Sequence, residues 1–82
     1  MNGTRFFSQG DYAHALTEFQ AAYELAPVPA VLYNIAVTFE QLGRAREALD
    51  TYVEYRASGP PKERIADVTA KIARLKQTLG VP

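Results

Sequence analysis

Few side chains in this sequence have reactive chemistry, and they are scattered. His14 is the only histidine and there is no cysteine, which excludes disulfides, thiolate nucleophiles and thiolate metal sites together. A single imidazole with no acid cluster around it does not make a metal site, and His14 is expected to be an exposed helix residue near Glu18. Ser8 and Ser58 have no base and orienting acid at a usable spacing. Glu47, Asp50 and Glu54 recur at helical steps and share one helix face. Paired carboxylates act as acid and base only where a pocket separates their pKa values, so a solvated face is the simpler reading. There is no glycine-rich phosphate loop. The expectation is a non-catalytic chain with no cofactor and no bound metal.

The elements that would carry these residues are all helical. Residues 2–9 read as a short helix with Phe6 and Phe7 as its apolar content, closed by Gly10. Asp11 then caps a second helix. Tyr12, Ala15, Leu16, Phe19, Ala22, Tyr23 and Ala26 recur at three- and four-residue steps and form its one apolar face. Pro27 and Pro29 stop that helix and start a third, which carries Val31, Leu32, Ile35, Ala36, Phe39 and Leu42 inward and ends at Gly43. Residues 44–57 make a fourth helix, with Ala45, Ala48, Leu49, Tyr52, Val53 and Tyr55 as its apolar set. After the break at 58–61, a last helix shows a narrow stripe of Ile65, Val68, Ile72, Leu75 and Leu79. Asp67 and Lys71, four apart with the acid first, suit an exposed pair on it. No alternating pattern marks a strand, and the connections are short enough to require antiparallel helices.

With 82 residues, of which 48% are hydrophobic, the chain can build one small core. No apolar run reaches the ~20 residues of a membrane span, and the N-terminus lacks the apolar stretch of a secretory signal. The compartment stays open between cytoplasm and periplasm. Net charge is zero but unevenly placed. Residues 1–42 carry Arg5 against Asp11, Glu18, Glu24 and Glu40, while residues 62–82 carry Lys62, Arg64, Lys71, Arg74 and Lys76 against Glu63 and Asp67. The segregation is either an accident of solvated helix faces or a source of head-to-tail attraction between copies or of attraction for an acidic partner at the basic end. Cations diluted by acids on a neutral domain make a weak phosphate footprint, so nucleic acid is not the expected partner.

The sequence also repeats itself. At an offset of 33, Gly3 returns as Ala36, Phe6 as Phe39, Gly10 as Gly43, Ala15 as Ala48, Leu16 as Leu49, Phe19 as Tyr52 and Pro27 as Pro60. These positions resemble the tetratricopeptide repeat, a helix–turn–helix unit of about 34 residues. Gly3, Phe6, Gly10, Ala15, Phe19, Ala22 and Pro27 fill its pattern in one unit. Leu32, Ala36, Phe39, Gly43, Ala48, Tyr52 and Pro60 fill it in the next. The resemblance implies an all-α fold of about five helices, antiparallel hairpins stacked as a short right-handed solenoid. Its units would be repeat one at about 1–28, repeat two at about 29–60 and a capping helix at about 61–79.

The sequence departs from the pattern in three places. The first unit starts late, which implies either a longer native N-terminus or another chain covering the missing half-helix. Tyr55 stands where Ala22 stands in the first unit, so it would hold the next helix off or lean over its edge. The last helix does not repeat the pattern, as expected of a terminal cap.

In the family, ligands lie in the concave groove lined by the first helix of each hairpin. Carried over, that groove would present Thr4, Phe7 and Ser8 from the first helix and Ala30, Tyr33, Asn34, Val37 and Gln41 from the third. Thr4, Phe7, Tyr33, Asn34, Val37 and Gln41 are the partner-binding candidates. Phe7, Tyr33 and Val37 either complete the small core or offer apolar surface to a peptide or a second copy. The carboxylate clamp of some relatives is absent, because Ala30 precedes Asn34 by four and no matching Lys–Asn or Lys–Arg pairs accompany it. The resemblance implies an interaction module for a protein or peptide. A self-associating structural module or an accessory domain of a larger enzyme or secretion assembly are the alternatives.

Overall fold

The structure, a computed structural model, describes residues 2–81. The chain is all-helical, with α1 (Asn2–Ser8), α2 (Tyr12–Leu25), α3 (Pro29–Gln41), α4 (Ala45–Ala57) and α5 (Lys62–Leu79). Each helix packs on the next in chain order, so the hairpins α1–α2 and α3–α4 stack and α5 closes the end against α4. The result is a slab of 35 × 25 × 19 Å. Among the described residues there is no strand, and no helix is long and apolar enough to cross a membrane.

The repeat is visible in the backbone as well as in the side chains. α1 and α3 end with the same turn: Asp11 N–H donates to the Phe6 carbonyl and Arg44 N–H to the Phe39 carbonyl, both at 2.9 Å. That closure needs a left-handed residue, supplied by Gly10 (φ 78°) and Gly43 (φ 76°). Beyond each turn the same three positions interact, with the carboxylate and its nitrogen-bearing partner exchanged. In the first unit the Asp11 carboxylate contacts His14 Nδ1 at 2.7 Å, and the imidazole stacks on Phe6 at 5.3 Å. In the second, Arg44 Nε donates to Glu47 at 2.7 Å, and its guanidinium lies 4.9 Å above Phe39. His14 therefore turns towards Asp11 and Phe6, not towards Glu18. Asp11 also caps α2, accepting from the His14 N–H.

Ala15, Leu16, Phe19, Val31, Leu32, Ile35, Ala36, Phe39, Ala48, Leu49, Tyr52, Tyr55, Val68, Ile72 and Leu75 form one continuous buried cluster. Small residues set the helix spacing. Gly3 is buried, and a Cβ built on it would lie 2.7 Å from the Phe19 ring, closer than carbon atoms approach. Gly3→Ala is expected to displace α1 or Phe19, at a cost of about 1–3 kcal/mol in urea-unfolding free energy. An unchanged midpoint would mean that α1 is not seated as described.

Three expected core positions lie further out. Val53 is 41% and Ile65 37% exposed, and Ala26 is at the surface. α4 is covered only where α3 and α5 touch it. Val53 follows Tyr52 by one position, about 100° round the helix, and so leaves the covered stripe. Tyr55 does not hang out over an edge. It is 5% exposed and packs edge-on against Tyr33, with ring centroids 5.4 Å apart.

Candidate functional site

Where α1 and α3 diverge, an apolar cleft of about 160 Å³ opens, lined by Thr4, Phe7, Phe19, Tyr33, Asn34 and Val37. Five of the six partner-binding candidates share it. Phe19 reaches it from α2 and forms its floor, a role hidden by its place in the core pattern. Gln41 is exposed and lies outside the cleft, as do Ser8 and Ala30. Ser8 instead donates its hydroxyl to the Thr4 carbonyl at 3.0 Å. Residues four apart on a helix are axially displaced by about 6 Å, which places Gln41 a full turn beyond Val37.

The polar atoms of the cleft differ in their commitments. Thr38, buried behind it, donates to the Asn34 carbonyl at 2.6 Å. The Asn34 side-chain amide makes no hydrogen bond to another described residue. It is half-buried and retains two donors and an acceptor beside an apolar surface. Such a group can both donate to and accept from a polar ligand.

Tyr33 is far from free. Its ring packs edge-on against Tyr52 (5.9 Å) as well as Tyr55, and the Arg64 guanidinium lies 4.8 Å from its centroid. Its hydroxyl donates to Asp67 Oδ2 at 3.1 Å. Partial burial, then the bond to Asp67 and its negative charge, raise the Tyr33 pKa above the ordinary phenol value. Asp67 is thus engaged by Tyr33, and the expected pair with Lys71 is absent from the ion pairs of the described residues.

A second bridge runs parallel to this one. Tyr52, fully buried, donates its hydroxyl to Glu40, and Glu40 in turn receives the Arg74 guanidinium. The chain α4–α3–α5 is thereby tied through one carboxylate. Burial first, then Glu40, pushes the Tyr52 phenol far above its ordinary pKa. Tyr33–Asp67 and Glu40–Arg74 both join residues 34 apart, so α5 sits on α3 in a single register.

The charge segregation is partly consumed by this contact, since Glu40 of the acidic half meets Arg74 of the basic tail within one chain. A hollow beside α1 holds Arg5 among Asn2, Phe6 and Gln9, and one on α5 holds Arg74 and Lys76 among Ala70, Ala73, Gln77 and Val81. The chain shows no significant match to any protein-family model or to any curated protein sequence.

Proposed function

We propose that the chain is a non-catalytic helical-repeat module resembling the tetratricopeptide repeat, and that it holds a segment of a partner protein or peptide in the cleft between α1 and α3. The supporting observation is that Thr4, Phe7, Tyr33, Asn34 and Val37, the residues for which the family resemblance implies a groove, line a single apolar cleft. An apolar cavity of about 150 Å³ accommodates a benzene-sized molecule, so this cleft takes one side chain of the partner. The rest of the segment then runs past the Asn34 amide. Affinity from one anchored side chain and a few backbone hydrogen bonds is modest, as is usual for regulated contacts.

Selection of displayed peptides against the wild-type domain tests this reading. The recovered peptides are expected to share one large apolar residue. Val37→Asp is expected to weaken them about tenfold or more, because it places a charge in the apolar wall. Asn34→Ala is expected to weaken them less, while both variants keep the helical circular dichroism. Peptides that bind wild type and Val37→Asp equally would remove the cleft as the site.

A further inference from the structure

Tyr33 forms the wall of the cleft on the side of α5, yet its position is set by residues outside the cleft. On the core side, Tyr52 and Tyr55 meet its ring edge-on. On the outer side, Asp67 accepts its hydroxyl at 3.1 Å and Arg64 covers its ring at 4.8 Å. Arg64 and Asp67 lie three apart on α5 and face α3 together, while neither lines the cleft. A tyrosine with two rotatable side-chain bonds and a half-exposed ring has other staggered positions open to it. The α5 pair selects one of them.

We infer that Arg64 and Asp67 are positioning residues for the cleft: by holding Tyr33 from outside, they fix the wall that decides whether an aliphatic side chain fits between Phe7, Phe19 and Val37. The inference rests on the cleft being the binding site. α5 is then more than a cover for the core, because its first two turns determine the shape of a site formed by other helices. The gain comes through preorganisation: a wall already in place costs the ligand no ordering of Tyr33. Coupling runs both ways, so a side chain seated in the cleft also strengthens the hold of α3 on α5.

The test uses Asp67→Ala, Arg64→Ala and the conservative Asp67→Asn, which keeps an acceptor for the phenol. Both positions are exposed, so the fold is expected to persist. Two readouts are taken: nuclear magnetic resonance shifts of Phe7 and Thr4 on α1, and affinity for N-acetyl-leucinamide as a minimal aliphatic probe. Asp67→Ala and Arg64→Ala are expected to shift the α1 resonances, which neither residue touches, and to weaken the probe about five- to tenfold. Asp67→Asn is expected to restore both towards wild type. Perturbations confined to α5 and Tyr33, with unchanged probe affinity, would overturn the inference, as would Asp67→Asn behaving like Asp67→Ala. If the wild-type domain ignores the probe, the cleft reading itself fails. The α1 shifts then decide the positioning role alone, upheld if present and overturned if absent.

Discussion

Replacing Tyr52 with alanine is expected to remove a large part of the folding free energy of the domain. Tyr52 is completely buried, its ring contacts Tyr33, and its hydroxyl ends a bridge through Glu40 to Arg74. Truncating a large buried aromatic costs about 3–5 kcal/mol, since the lost transfer energy is compounded by a cavity that rigid helices cannot close. A domain of this length has about 4–12 kcal/mol in total. Tyr52→Ala should therefore give a shallow, poorly cooperative melt or no melt at all. Tyr52→Phe separates packing from hydrogen bonding. It keeps the ring and leaves Glu40, whose side chain is only 16% exposed, with Arg74 as partner, for a cost of about 1–2 kcal/mol. Leu25→Ala is the control: Leu25 is 89% exposed, and its loss should stay within about 0.5 kcal/mol. Tyr52→Ala melting alongside Leu25→Ala would refute the packing described for α3, α4 and α5.

That contrast also marks what the sequence could and could not disclose. Tyr52 was legible because its burial follows from helical periodicity and from its match with Phe19 one unit earlier, both local properties of the string. Gly10 and Gly43 were legible for the same reason, as a left-handed turn residue repeated at the unit spacing. The five cleft residues came from the resemblance to the tetratricopeptide repeat, which implies a groove lined by the first helix of each hairpin. Tyr33 shows the limit. Its place on the cleft wall could be read, but its tether to Asp67 and Arg64 could not, because a polar contact between α3 and α5 has no periodicity to reveal it. Glu40 and Arg74 read as surface charges of opposite halves until the fold brought them together. Asp67 was assigned to Lys71 by the helical spacing rule, yet a tertiary partner took it. Exposed i,i+4 pairs contribute only about 0.3–0.5 kcal/mol, so a phenol donor from a packed neighbour outcompetes them. Gln41 lies one turn past the end of the cleft.

The same two tyrosines predict how the domain responds to alkali. In the unfolded chain a tyrosine ionises near its ordinary pKa of 10.0, whereas in the folded domain burial and Glu40 keep Tyr52 protonated well beyond that. Tyr33 is shifted in the same direction by its partial burial and Asp67. Above the unfolded pKa the unfolded state holds fewer protons than the folded one, so stability must fall as pH rises. Below it both states are protonated and the contribution is fully present. Tyr52 alone should remove about 1.4 kcal/mol per pH unit beyond about pH 10. Tyr33 adds a smaller decrement, because its ring is half in water and solvent screens its partners. Two pH units past the onset, the Tyr52 contribution reaches about 3 kcal/mol, comparable with the stability of a small domain, so alkaline unfolding should follow soon after. Tyr52→Phe starts from lower stability at neutral pH but lacks the Tyr52 phenol, so its stability should fall less steeply above about pH 10. Urea-unfolding free energies of the two proteins, measured at steps from pH 8 upward, are therefore expected to converge. Parallel curves would show that Tyr52 ionises as freely inside the fold as outside it, and that the Tyr52–Glu40–Arg74 bridge does not close in solution.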